Sequence, residues 1–193
     1  MHLDLSMAGF ALATSITPGP VNLVALAGAS RHGLRPALRH VTGATLGFIV
    51  LLLANGAGLL AVLTSFDGVN QALRVGGIAY LLWLAWGLAR DNGELGAATG
   101  GPPGYWRGAL MQWLNPKAWM ACAAGVAAFV EGPQSIARFA AIYLVVCWLS
   151  LACWAWAGAF LQHRLGDARR WRLFNRSMAA LLAASAGYLW LAR

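Results

Sequence analysis

The sequence predicts an all-α, polytopic membrane protein with six transmembrane helices, arranged as two inverted three-helix repeats with both termini outside. The first observation behind this prediction is composition: 60% of the 193 residues are hydrophobic and only 10% are charged. Soluble domains are roughly 45–50% apolar and about 25% charged. The second observation is that arginines gather in short loops between apolar runs, which is how membrane proteins encode their orientation.

Six apolar segments are long enough to cross the hydrocarbon layer, which takes about 20 residues per helix. The predicted spans are Leu5–Ala29, Leu38–Leu63, Val69–Ala89, Gly108–Val130, Ile136–Leu161 and Phe174–Ala192. No Lys or Arg precedes the first apolar run. A cleaved signal peptide needs a basic region there, so this run is expected to remain as a span.

Arginines are concentrated in alternate loops. The odd-numbered connections contain Arg31, Arg35, Arg39, Arg90, Arg107, Arg164, Arg169, Arg170, Arg172 and Arg176, whereas the even-numbered ones contain Arg74 and Arg138. Because cytoplasmic loops carry the basic excess, the odd-numbered loops are predicted to be cytoplasmic. The same distribution explains the net charge of +8 by membrane topology, and no nucleic-acid partner is expected.

A Gly- and Pro-rich stretch over residues 91–104 divides this single transmembrane domain into half-repeats 1–90 and 105–193. It has no helical period, so it is predicted to be a flexible cytoplasmic linker. Each half contains three predicted spans. Because three is odd, the two halves must cross the bilayer in opposite directions.

The first span of each half is interrupted by proline, in ITPGPVN at residues 16–22 and in QWLNPKAW at residues 112–119. Proline removes a backbone donor and glycine adds conformational freedom, so both stretches break a helix. At a rise of 1.5 Å per residue, Pro18 lies about 21 Å from Asp4 and Pro116 about 14 Å from Arg107. Interrupted spans near mid-depth in both halves indicate a transporter's binding site at the repeat interface.

Lys117 would place a positive charge near the middle of the membrane, where a charge is costly and is a functional candidate by default. One interpretation is that it attracts the carboxylate of a substrate. The other is that it pairs with backbone carbonyls freed by Pro116, or that it reaches the headgroups through a helix tilt.

Uncharged polar residues flank both breaks. Gln112 and Asn115 are expected to share a helical face with Trp119, which would add an aromatic wall. Their amides either bind substrate or bond neighbouring helices, and the same two readings apply to Thr17 and Asn22.

Several chemistries are not indicated by the sequence. There is no phosphate-binding loop and no catalytic triad spacing, and no metal or cofactor site is expected. The cysteines Cys122, Cys147 and Cys153 lie in apolar runs without paired spacing. The pair Gly43 and Gly47 forms a GxxxG motif, for which close helix packing is expected.

The stretches TPGPVNLVALAGASRHGLRPALRHVTGATLGF (residues 17–48) and GALMQWLNPKAWMACAAGVAAFV (residues 108–130) resemble the LysE/RhtB family of amino-acid exporters. The resemblance covers essentially the whole chain. It implies a multi-pass bacterial inner-membrane exporter of amino acids or related small metabolites, which is driven by the proton gradient or membrane potential and is not an enzyme. Alternating access around the paired proline breaks is the expected mechanism. The family's motifs fall on Pro18, Gly19, Pro20, Asn22, Asn115, Pro116 and Lys117. Val21 departs from many relatives, which place asparagine directly after the second proline; here asparagine follows one position later, as Asn22.

The expected partners are therefore an amino-acid substrate and the lipid bilayer. Whether the chain forms a homo-oligomer stays open. Two alternatives from other classes also stay open. One is a membrane thiol-relay protein, which needs a cysteine in each half poised for exchange. The other is a non-transporting scaffold subunit.

Overall fold

The computed structural model describes residues 2–59, 68–90, 102, 104–162 and 168–191. Within these residues the chain forms helices and no strand. The helices are α1 (His2–Ile16), α2 (Pro20–His32), α3 (Leu34–Gly56), α4 (Val69–Ala89), α5 (Tyr105–Trp113), α6 (Pro116–Phe129), α7 (Pro133–Gln162) and α8 (Ala168–Leu191). Most of the predicted linker and Arg164 lie outside the described residues.

The first predicted span is two helices, α1 and α2, bent by 59°. Gly19 is the N-cap of α2, in an extended conformation (φ −162°, ψ 174°), and Pro20 is the first helical residue. Proline is well suited to that position, because the first N–H groups of a helix have no intrahelical partner and the ring presets φ. The prolines therefore separate two helices cleanly.

The fourth predicted span is interrupted in the same way, between α5 and α6. Asn115 is the N-cap of α6, and its side-chain oxygen accepts a hydrogen bond of 3.1 Å from the backbone N–H of Lys117. Asparagine is among the preferred N-cap residues because its side chain satisfies an unpaired donor of the first turn. The predicted break before Pro116 is therefore confirmed.

Two of the described helices are long and apolar enough to cross a membrane alone: α3, over Leu34–Gly56, and α7, over Pro133–Leu161. The bent α1–α2 pair meets the same test when its two helices are taken together as a single broken span, which would be the third. Helices α4, α5–α6 and α8 coincide with the other predicted spans without meeting that test. The described part of the chain is consistent with a membrane protein, and six spans remain a prediction.

Helices α3 and α5 cross in close contact at glycines. A Cβ on Gly43 would clash with the backbone of Tyr105, and one on Gly108 would clash with the carbonyl of His40. A Cβ on Gly47 would lie 2.6 Å from the Cα of Ala109. The prediction that the Gly43–Gly47 motif serves close packing is confirmed.

The helix contacts between the two halves follow a regular pattern when α1–α4 is matched with α5–α8. Helix α3 packs on α5, and α1 packs on α7. Helix α2 packs on α7, and α6 packs on α3, while α3 also contacts α7 and α4 contacts α8. Exchanging the halves converts α3–α5 into α1–α7 and α2–α7 into α3–α6, and it leaves α3–α7 and α4–α8 unchanged.

An ion pair joins the first helix to α7. Arg138 donates from Nη2 to Oδ2 of Asp4 at 2.6 Å, and its Nε lies 2.6 Å from Oδ1. The start of α1 and the start of α7 therefore lie at the same end of the helical bundle.

Candidate functional site

Lys117 connects the two proline breaks. Its Nζ donates to the carbonyl oxygen of Thr17 at 2.7 Å and to the Thr17 hydroxyl at 2.8 Å, with the carbonyl of Pro18 at 3.5 Å. The ammonium does pair with backbone carbonyls, but these belong to the first break. The alternative interpretation, in which its partners are carbonyls freed by Pro116, is wrong about the partners, because the side chain of Lys117 extends from the first turn of α6 to the end of α1.

The carbonyls at the end of α1 are satisfied by side chains from other helices. The carbonyl of Ser15 accepts from Asn22 Nδ2 at 2.8 Å. The carbonyl of Ile16 accepts from the indole of Trp154 in α7 at 3.0 Å. Within a bilayer, an unsatisfied backbone group costs several kcal/mol. The broken helix is therefore stable because α2, α6 and α7 each supply donors to it.

The second break has its own set of contacts. Asn115 Nδ2 lies 3.3 Å from Gln112 Oε1, so these two amides come together as expected. The indole of Trp119 instead donates to the carbonyl of Trp113 at 2.7 Å. The predicted aromatic wall is wrong, since Trp119 is not among the residues that line the cavity between the breaks. Helical spacing does not extend through the break, so the face shared by Gln112 and Asn115 ends before Trp119.

A cavity of about 30 Å³ lies between the two breaks. Four of the sequence-predicted residues line it: Asn22, Gln112, Asn115 and Lys117. The other predicted residues do not line it; they form the backbone of the breaks and are Thr17, Pro18, Gly19, Pro20 and Pro116. The volume suffices for about one or two water molecules and is far below the roughly 300–1,000 Å³ of small-molecule sites. As described, the cavity is too small to hold an amino acid.

The cavity also contains residues that the sequence did not single out. The hydroxyls of Tyr143 and Thr14 are 2.6 Å apart, and the ring of Tyr143 stacks on Phe48 with centroids 4.3 Å apart. Cys147 Sγ lies 3.9 Å from the hydroxyl of Thr45. Tyr143 and Cys147 belong to the unbroken apolar helix α7, where no local pattern separates a cavity-lining residue from a core residue.

The charge of Lys117 faces neutral oxygens. The carboxylates among the described residues are Asp4 and Glu131, and Asp4 is paired with Arg138. The three amides of the cavity are buried, since Asn22, Gln112 and Asn115 are only 4–6% exposed. The site therefore combines one uncompensated positive charge with buried amide groups. Such a combination can bind a carboxylate and orient the polar atoms beside it.

Metal and disulfide chemistry find no support in the described part of the chain. It contains no group of three or more His, Cys, Asp or Glu side chains placed to hold a metal ion. The three cysteines form no disulfide, and two of them, Cys122 and Cys147, are buried.

The chain is similar to known transport proteins over nearly its whole length. A family model described as LysE type translocator matches residues 12–193. A cysteine/O-acetylserine efflux protein of Klebsiella pneumoniae is 30% identical over 179 residues, which covers 91% of this chain and 88% of the relative. The protein of the same name from Salmonella choleraesuis is 31% identical over 180 residues, covering 90% of this chain and 88% of the relative. That from Escherichia coli K12 is 28% identical over 179 residues, covering 90% and 88%. No solved structure shows a significant match.

Proposed function

The chain belongs to the LysE type translocator family, and from this premise we propose that it exports amino acids with small, uncharged side chains from the cytoplasm across the bacterial inner membrane. The observation that carries the proposal is the contact of Lys117 with Thr17, which brings the two proline breaks together beside a cavity lined by amides. A positive charge held at an interrupted helix is suited to an anionic substrate group.

The proposed architecture has six spans in two inverted repeats, with both termini outside. The exchange pattern of the helix contacts supports a repeat, because each half places its helices against the other in matching ways. The ion pair between Asp4 and Arg138 supports the topology, since it brings the N-terminus and the fourth connection to one end of the bundle. Both were expected on the outer side from the arginine distribution.

The substrate carboxylate is proposed to bind Lys117. An ammonium has three donors, and Thr17 takes two of them at 2.7 and 2.8 Å, whereas the Pro18 carbonyl at 3.5 Å is a long contact. One N–H is therefore available to a carboxylate. The amides of Asn22, Gln112 and Asn115 are proposed to orient the remaining polar atoms of the substrate.

The proposed substrate has a small, neutral side chain. The apolar part of the cavity lining includes Val21, Ala118 and Ala121, which offer surface without a charge for a second ionic group. The relatives are named for cysteine and O-acetylserine, whose side chains fit this description. These two compounds are the first substrates to test.

Transport is proposed to proceed by alternating access. The cavity is too small for an amino acid in the closed form, so helices around it must separate to admit substrate. The two breaks are suited to that movement, because residues at helix ends absorb large changes of backbone dihedrals. The thiol-relay alternative is not favoured, since residues 1–90 contain no cysteine. No catalytic step is proposed.

Reconstituted protein tests this function. Proteoliposomes preloaded with labelled O-acetylserine or cysteine should release it with the purified chain as the sole protein, faster than protein-free liposomes. Lysine should be released at the background rate. Release at background for every small neutral amino acid would contradict the proposal, and release by the purified chain alone would exclude a mere scaffold role.

A further inference from the structure

Three oxygen atoms lie on one side of the ammonium of Lys117: the carbonyl and hydroxyl oxygens of Thr17 at 2.7 and 2.8 Å and, in a longer contact of 3.5 Å, the carbonyl oxygen of Pro18. Unwound backbone carbonyls at interrupted helices are the groups that hold coupling cations such as Na⁺ in secondary transporters. We propose that the break between α1 and α2 is a binding site for one monovalent cation, and that the Lys117 ammonium is a tethered cation that fills it.

The backbone leaves these oxygens available for a cation. Within the described ranges, no backbone N–H donates to the carbonyl of Thr17 or Pro18, whereas the next carbonyl, that of Gly19, accepts from Leu23 at 3.0 Å. Pro18 and Pro20 carry no N–H that could bond nearby carbonyls. The two prolines thus create free acceptors at one place, and Lys117 is the group that occupies them.

The dipole of α1, and not that of α6, favours a cation at the position of the Lys117 ammonium. Lys117 lies in the first turn of α6, where the helix dipole disfavours a positive charge. Its ammonium lies instead at the C-terminal end of α1, where the dipole favours one. The C-terminal end of α1 therefore stabilises the ammonium charge, and the carbonyl dipoles at that end suit a single positive charge.

Steric fit also points to a built site. A Cβ added to Gly19 would lie 3.3 Å from both Cδ and Nζ of Lys117 and 3.5 Å from Asn22 Oδ1. The two 3.3 Å distances are tight, so the backbone of Gly19 lies directly against the end of the lysine side chain. Lys117 and Asn22 both line the cavity, so the cation lies beside it.

The functional meaning rests on the proposed amino-acid export. A tethered cation would hold the two halves together in the closed form and would also present positive charge to the substrate carboxylate. An exporter built in this way needs no Na⁺ at this place, because the chain supplies the charge itself.

The test is thermal unfolding of the purified protein, which requires no transport. Lys117→Ala removes the atoms from Cγ to Nζ, and n-propylammonium replaces that group. We expect Lys117→Ala to unfold about 3–10 °C below the wild type, and millimolar n-propylammonium to restore at least half of the loss. The neutral isostere 1-propanol should restore none of it, and Na⁺ should act in the same direction as n-propylammonium but more weakly.

Arg138→Ala is the matched control, because it removes a cation that pairs with Asp4 at the end of the bundle; n-propylammonium should not raise its unfolding temperature above the effect on the wild type. If Lys117→Ala does not fold, Lys117→Met takes its place; it keeps the apolar stem, so NH4⁺ replaces n-propylammonium as the probe. Equal effects of n-propylammonium and 1-propanol, or an unfolding temperature unchanged by the substitution, would overturn the proposal. The thermal test does not depend on transport. If the wild type failed to export amino acids, the proposed function would be wrong while the cation site could still be tested.

Discussion

The ammonium of Lys117 lies 2.7 Å from the carbonyl oxygen of Thr17, a residue 100 positions earlier in the chain. This contact joins the two places where proline interrupts a helix. Because each break belongs to a different half, the charge of one half is stabilised by the backbone of the other. Separation of the halves would break this contact, so it would control the alternating-access cycle that we propose.

The hydrogen bond from Asn22 to the carbonyl of Ser15 stabilises the first break. Asn22→Leu leaves a buried carbonyl without a donor, so we expect a loss of about 1–3 kcal/mol in the free energy of unfolding. Denaturant unfolding of the purified protein measures this loss. Asn55→Leu is the control, since Asn55 donates within its own helix to Leu51, and it should have the smaller effect. The reverse order would show that Asn22 does not stabilise the break.

Trp154 satisfies the carbonyl of Ile16 from α7. Trp154→Phe keeps an aromatic ring but removes the N–H donor, so the unfolding free energy should fall by about 1 kcal/mol. Export should fall as well, because the end of α1 would lose one of its fixed contacts. Trp156→Phe in the same helix is the control, as Trp156 is 70% exposed. Equal behaviour of the two variants in unfolding and efflux would contradict the assigned contact.

The glycine contact between α3 and α5 predicts a strong steric effect. Gly43→Ala places a methyl group into the backbone of Tyr105, and overpacking of this kind costs about 1–3 kcal/mol. Gly87→Ala in α4 is a matched control, because a Cβ there meets nothing within 4 Å. The yield of folded, monodisperse protein compares the two variants. A Gly43→Ala protein that folds as well as Gly87→Ala would contradict the tight crossing.

The hydrogen bond between Tyr143 and Thr14 connects α7 to α1 beside the cavity. Tyr143→Phe removes the hydroxyl but keeps the ring stacked on Phe48. A double-mutant cycle with Thr14→Val should give a coupling energy of about 0.5–1.5 kcal/mol in unfolding. Strict additivity of the two substitutions would show that the hydroxyls do not interact.

The sequence predicted the two breaks well because proline and glycine act on the backbone locally. Pro18 and Pro20 end one helix and begin the next, and Asn115 with Pro116 forms a helix start that can be read from residue type alone. The pairing of Lys117 with Thr17 could not be predicted in this way. It depends on how two distant helix ends are brought together by packing.

Trp119 and Tyr143 show where prediction from the sequence fails: Trp119 was expected at the cavity and is not there, whereas Tyr143 lines the cavity and was not expected. Trp119 was expected beside Gln112 and Asn115 by helical spacing, but that spacing stops at the break between α5 and α6. Tyr143 lies in a long apolar helix that reads as a simple span, so nothing in its neighbourhood marks it as a cavity residue. Contacts across helices decide both cases.

The binding of an amino acid and of its decarboxylated analogue to the purified protein tests the central claim most directly. Cysteine and cysteamine, both kept reduced, differ by the carboxylate that Lys117 is proposed to bind. We predict that the wild type binds cysteine at least about tenfold more tightly than cysteamine, a difference of about 1.4 kcal/mol. Lys117→Gln should lose this preference. Equal binding of the two compounds by the wild type, or an unchanged preference in Lys117→Gln, would contradict a carboxylate site at Lys117.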